Sequence, residues 1–185
     1  RGDSEFSHNS ANYGGALGAN SVKVYAGALF NQNRAIITDT ESPDPRAGGG
    51  AIAAPEVSLY GTQGSPVVFT ENYAYTYGGA IDAYTSGGAI SALSLYTPGV
   101  YIADAMFQNN NAVNAQGGAI YVLGDSTIRR TDFSFNYTGD LSGSAVFVTN
   151  GDLTLDSSTL RYNKAGGVGD SYARGAIYIN GSEYR

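Results

Sequence analysis

The chain has no cysteine, no tryptophan, one methionine and one histidine in 185 residues. Without cysteine there is neither a disulfide nor a thiolate metal site. The lone His8 excludes a multi-histidine centre. Basic residues number 10 against 16 acidic ones, giving a net charge of −6 and a pI near 4.5. The basic residues are scattered, which argues against a face for nucleic-acid phosphates. No apolar run reaches membrane-spanning length, and the opening run from Arg1 to Phe6 is not a signal peptide. The chain is therefore expected to be a processed product or a slice of something longer.

What is present is glycine (26) and tyrosine (15), with 42% hydrophobic and 14% charged residues. That suffices for a core and is too little charge for ordinary disorder. The glycines follow no collagen-like period. They concentrate instead in a four-residue word, Gly-Gly-Ala-Ile, at Gly49–Ile52, Gly78–Ile81, Gly87–Ile90 and Gly117–Ile120. Near copies stand at Gly14–Leu17, Gly143–Val146 and Arg174–Ile177. A second word, Phe-x-x-Asn-x-Ala, starts at Phe6, Phe30, Phe69 and Phe107, with degenerate copies at Phe133 and Leu160. The two words alternate, and only the word at Gly87 breaks the order. Between them lies a weaker alternating segment such as Val22-Lys23-Val24, Val57-Ser58-Leu59 or Leu153-Thr154-Leu155.

Period-2 alternation in short pieces predicts strands, and no stretch has the length and apolar stripe of a helix. Three short strands per unit, at a tightest spacing of about two dozen residues, predict an all-β parallel β-helix (β-solenoid) of about six coils. Right-handed coiling is expected, the favoured hand for parallel crossovers. The whole chain, 1–185, reads as one such domain or a slice of a longer solenoid. Stacking at about 4.8 Å sets like residues over like. Phe6, Phe30, Phe69, Phe107, Phe133 and Leu160 then form an internal stack. Asn9, Asn33, Asn72, Asn110, Asn136 and Asn163 form a ladder at a turn, with amides bonded to backbone or to one another. Gly15, Gly50, Gly79, Gly118 and Gly175 supply sharp corners, where positive φ or close backbone approach is needed. In the strand that follows, Ile and its second neighbour point inward and the variable residue between them outward. A phosphate-cradling role for Gly-Gly fails, since no Gly-Lys-Ser/Thr follows and no helix is predicted.

The paired words, running from Phe6 to Ile179, resemble the repeats of chlamydial polymorphic outer-membrane proteins, of autotransporter-passenger type. Similar repeats occur in other bacterial and some algal surface proteins. The resemblance implies a right-handed β-helix, secretion, display at the extracellular or outer cell surface, and commonly adhesion to host cells. This chain differs in lacking cysteine, and it has no amphipathic strand series for an outer-membrane barrel.

Insertions fall mainly between Phe-x-x-Asn-x-Ala and the next Gly-Gly word, at 36–48, 113–116 and 166–174, hence on one edge of the stack. That edge is expected to meet a partner. Asp39, Glu41 and Asp44 are candidates for a calcium ion, set against the plainer reading of a solvated acidic loop. Tyr75, Tyr77 and Tyr84 are candidates for contact with a protein or glycan, although strands favour tyrosine anyway. Tyr96, Tyr101 and Tyr121 lie further on. Arg1-Gly2-Asp3 matches the integrin tripeptide, and coincidence is the better reading. Asn136-Tyr-Thr138 and Asn180-Gly-Ser182 are glycosylation sequons, the first at a ladder position.

β-Helices also host polysaccharide lyases and hydrolases, and Asp82, Asp104, Asp132 and Asp156 are the candidate catalytic carboxylates. No Lys/Arg cluster joins them as a lyase would need, and the enzyme is the minority reading. No catalytic residue, cofactor or resident metal is expected. The favoured reading is a secreted structural or adhesive protein. Its partners would be a host or cell-surface protein, a glycan, or other copies of itself. The chain holds close to a whole number of coils and shows no polar cap, so subunits stacking head-to-tail into a filament, or excision from a longer passenger, are both expected possibilities.

Overall fold

A computed structural model describes residues 3–12, 14–36, 49–54, 56–74, 81–82, 90–93, 100–113, 116–139, 143–166 and 175–180, with only the backbone at 81–82, 90–93 and 123. The strands are short and, within every sheet, parallel to their neighbours. The chain is a parallel β-solenoid. One sheet, the phenylalanine sheet, comprises Glu5–Ser7, Leu29–Asn31, Val67–Thr70, Ala105–Gln108, Asp132–Ser134 and Thr159–Arg161, in chain order. A second, the alanine sheet, begins two residues or so later in each coil and comprises Ser10–Ala11, Arg34–Ala35, Tyr73–Ala74, Asn111–Ala112, Tyr137–Thr138 and Lys164–Ala165. A middle sheet holds Ser21–Tyr25, Glu56–Tyr60, Val100–Ala103, Ser126–Arg129 and Leu153–Asp156.

The register stacks each residue on its counterpart. Phe6 pairs with Phe30, Phe30 with Phe69, Phe69 with Phe107, Phe107 with Phe133 and Phe133 with Leu160. The five rings lie nearly parallel, with centroids 4.6–5.0 Å apart. That separation is set by strand spacing, so each ring meets the next at van der Waals distance and no void opens between coils. Beside this stack run Val24, Leu59, Ile102 and Ile128, all buried. The alanine column, Ala35, Ala74 and Ala112 with Thr138, is buried too.

The Gly-Gly words feed two separate sheets. Leu17–Gly18, Ile52–Ala53 and Ile81–Asp82 form one, and Ile90–Leu93, Ile120–Leu123, Val146–Thr149 and Ile177–Asn180 the other. The extra word thus has a definite place. Ile81 pairs back to Ile52, whereas Ile90 pairs forward to Ile120. One coil carries both strands, closing the first sheet and opening the second.

Alternation correctly gives the direction of the side chains after Gly-Gly, but direction is not exposure. Ile120 and Val122 are fully buried, as are Val146 and Val148. The intervening Tyr121 and Phe147 point the other way and are still only 7% and 4% exposed. They belong to a second aromatic stack, Tyr121–Phe147–Tyr178, with centroids 5.1 Å apart.

Candidate functional site

The asparagines form a continuous chain of amides through the stack. The backbone N–H and Nδ2 of Asn33 both donate to Oδ1 of Asn72, at 3.0 Å each. Asn72 donates likewise to Asn110, Asn110 to Asn136 and Asn136 to Asn163, and Asn9 donates to Asn33. The second Nδ2 hydrogen goes backward: Asn110 Nδ2 reaches the Phe69 carbonyl at 3.2 Å, and Asn136 Nδ2 the Phe107 carbonyl at 3.0 Å. Asn33, Asn72, Asn110 and Asn136 are fully buried. A buried primary amide needs a partner for each N–H, and this geometry provides one. The arrangement leaves Asn136 no accessible nitrogen, so its sequon is closed to glycosylation in the folded chain. The amide hydrogens of these residues are used within the stack.

The residue before each asparagine carries the signal that sequence reasoning missed. His8, Gln32, Glu71, Asn109, Phe135 and Tyr162 all have φ of 53–57°. An L-residue with a Cβ is strained there by roughly 1–2 kcal/mol, asparagine being the usual exception. The strain persists because the turn is held by bonds across coils. The N–H of Gln32 donates to the Thr70 carbonyl and that of Glu71 to the Gln108 carbonyl, both at 3.0 Å. Six unlike side chains share one backbone state, so the coil imposes it. Their side chains form an outer row, with Gln32 bonded to Glu71 and Phe135 stacked on Tyr162. The last two rings are 54% and 74% exposed.

The glycines divide their work. Positive φ falls on the first residue of the word, as at Gly117 (68°), while the second, Gly118, is where backbones approach. A Cβ on Gly118 would lie 2.2 Å from the Ser144 carbonyl oxygen. Gly15 is as tightly placed against the Gly50 carbonyl, whereas Gly175, the second residue of its word, departs from the pattern with φ of 38°. Gly79 lies outside the described residues.

The carboxylates occupy the outer corner between the middle and phenylalanine sheets, and arginines of the adjoining coil meet them. Arg130 grips Asp104 with two bonds, Nε to Oδ1 at 2.8 Å and Nη2 to Oδ2 at 2.7 Å. Arg161 donates to Asp132 Oδ2, and Arg129 stands 3.9 Å from Asp156. The hydrogen bonds from Arg130, with its charge, hold the Asp104 carboxyl below the ordinary aspartate range against the opposing effect of burial. An ionised, arginine-bound carboxylate is poorly suited to act as a general acid. For Asp82 only the backbone is described.

One corner in this row is built differently. Between Tyr60 and Val67 the chain inserts residues 61–66, pinned by a bridge between Thr62 and Ser65. The insertion forms one wall of a depression of about 460 Å³, whose floor includes Asp104, Met106, Arg130 and Asp132. Asp132 Oδ1 is buried there without a hydrogen-bond partner. Alongside runs an outward tyrosine row. Tyr25, Tyr60 and Tyr101 have successive centroids 5.6 Å apart.

Tyr75, Tyr77, Tyr84 and Tyr96, the acidic set Asp39, Glu41 and Asp44, and Arg1-Gly2 of the tripeptide lie outside the described residues, as do 37–48, 114–115 and 167–174 of the three predicted insertions. Among the described residues no three His, Asp or Glu side chains gather as a metal site, and no helix is long and apolar enough to cross a membrane.

Two segments, 66–93 and 104–123, match the model of the Chlamydia polymorphic membrane protein repeat. The match is to the repeat of a surface-protein family and supports a place at the cell surface. No curated protein and no solved structure matches the chain.

Proposed function

We propose that the chain is a surface-displayed, non-enzymatic solenoid with a structural and adhesive role. The repeat match carries this reading: the same Phe-x-x-Asn and Gly-Gly-Ala words build rung after rung of the stack, and their residues are consumed in holding it together. What remains for function is the outside, where side chains vary from coil to coil while the backbone does not. Of the carboxylates that a glycan-cleaving β-helix would use, Asp104 and Asp132 are engaged by arginines, which supports a non-enzymatic role. Conversion of an acidic glycan by the purified chain would overturn that part of the reading.

The adhesive role is tested by coating fluorescent beads with the chain and measuring their retention on cultured host cells. Retention above that of beads carrying an unrelated β-solenoid supports adhesion, and equal retention removes it. Display is tested separately, by protease shaving of intact producing cells. Rung-on-rung pairing is equally satisfied by a second copy of the chain, which gives a filament as a further part of the proposal. A species that sediments as a monomer at every concentration would exclude it.

A further inference from the structure

Oxidation has few places to go in this chain. Cysteine and tryptophan are absent, and the one methionine, Met106, is half-buried in the phenylalanine sheet. Thiols and thioethers are ordinarily where oxidants act first. Their scarcity leaves the phenols of 15 tyrosines as the main electron donors.

Among the described residues, tyrosine stacks on tyrosine in one row alone. Tyr25 and Tyr60 are register partners on the outward face of the middle sheet, with centroids 5.6 Å apart and planes 21° from parallel. Tyr60 meets Tyr101 at the same distance, tilted by 34°. Elsewhere the stacking partner has no phenol: Tyr121 and Tyr178 lie on Phe147, and Tyr162 on Phe135. The row is also open to solvent, with Tyr25, Tyr60 and Tyr101 at 65%, 38% and 37% exposure. Exposed rings can tilt about their side-chain torsions, whereas the close-packed phenylalanine stack holds its rings in place. None of the three hydroxyls is hydrogen-bonded to a described residue, so phenylalanine would fill the row equally well as packing.

Two reactive groups held in contact react as if in one molecule, which favours coupling within the row over coupling between chains. We propose that Tyr25 and Tyr60 are a site of oxidative coupling, a dityrosine link that staples the first coil to the second. The oxidant is hydrogen peroxide acting through a peroxidase. Each phenol gives up one electron and its hydroxyl proton. The two phenoxyl radicals join carbon to carbon, each at a position ortho to its oxygen. The displaced ring protons move to the oxygens and restore both phenols. Peroxide takes up the two electrons and two protons and leaves as two waters. Tyr101 is the lesser partner, because its register neighbour is Ser58 and it meets Tyr60 diagonally. A link between coils closes a loop in the unfolded chain, as a disulfide does, and this chain has no cysteine to do so. The place at the cell surface that the repeat match supports is one where oxidising conditions prevail. The inference needs neither adhesion nor a filament.

The test treats the full chain, in dilute solution, with a haem peroxidase and limiting hydrogen peroxide, followed by digestion and mass spectrometry. The expected product is a linked pair of peptides carrying Tyr25 and Tyr60, lighter by two hydrogens than their sum. It should come from protein that runs as a monomer on a denaturing gel, at a yield unchanged by dilution. Tyr25→Phe keeps the ring and should lose this product. Tyr60→Phe takes a phenol from both contacts and should abolish intramolecular dityrosine fluorescence. Tyr162→Phe removes a more exposed phenol and should leave the fluorescence unchanged. Oxidised wild type should unfold at a higher urea midpoint than the untreated chain, and oxidised Tyr60→Phe should show no rise.

Dityrosine that forms only between chains, or that persists within the chain in Tyr60→Phe, refutes the site. A Tyr25–Tyr60 link that leaves the urea midpoint where it was refutes the staple.

Discussion

The corner before each ladder asparagine and the corner between the middle and phenylalanine sheets use the same left-handed backbone in different company. At the first, six residues from His8 to Tyr162 adopt it without exception. At the second, Asp104, Arg130 and Ser157 adopt it at φ of 47–52°, and the preceding coil replaces it with the 61–66 insertion. What separates them is what lies inside. Behind the first corner is a buried amide whose hydrogen bonds run to the coils on both sides, so any change of path leaves several polar groups unpaired. At the second are ion pairs whose arginines are about half exposed, so water can solvate much of what a changed path leaves unpaired. Tolerance to insertion follows from the second condition.

The comparison breaks most visibly at the ladder. Asn110→Ala removes the acceptor of two Asn72 donors and the donors to the Phe69 carbonyl and Asn136 Oδ1. With several buried groups left unsatisfied, a loss of about 3–5 kcal/mol is expected, measured by urea unfolding. If Asn110→Ala unfolds at the wild-type urea midpoint, the amide chain is not what holds the corner.

A smaller effect is expected at the ion-paired corner. Asp104→Asn should lower the melting temperature by less than the ladder variant, since the pair lies near solvent. The pH dependence sharpens this. The folded-state pKa of Asp104 is depressed, so its contribution is complete above the ordinary aspartate range and is lost as pH falls through the folded value. The difference in stability between wild type and Asp104→Asn should therefore be constant near neutrality and shrink in acid. A difference that grows in acid would contradict the pairing with Arg130.

The smallest effect belongs to the inserted turn. A Cβ at Gly64 meets nothing within 4 Å, so Gly64→Ala should change stability by no more than roughly 0.5 kcal/mol in a thermal melt. A large loss there would make the insertion part of the scaffold and erase the contrast between the corners.

Much of the fold was legible in the chain because a solenoid writes each rung with the same letters. Phe-x-x-Asn and Gly-Gly-Ala-Ile recur since a phenylalanine must lie over a phenylalanine and an amide over an amide. The left-handed residue before each asparagine was hidden, because His8, Gln32, Glu71 and Phe135 share no residue type; the stack imposes that conformation, and the side chain does not choose it. Tyr121 was legible in direction and not in burial, for alternation says which face a side chain takes and nothing about the aromatic stack it joins there. The carboxylate pairs were hidden for another reason. Asp104 and Arg130 stand 26 positions apart and meet only when one coil settles on the next.

The sequence alone thus determined the strand words, their stacking order and the repeat family they match, since these depend on local periodicity and on like packing with like. Only the tertiary structure decided which charges pair, which outward rings are buried and where the inserted turn encloses a depression, because each depends on the register between coils and on side chains that no neighbour in the chain can see.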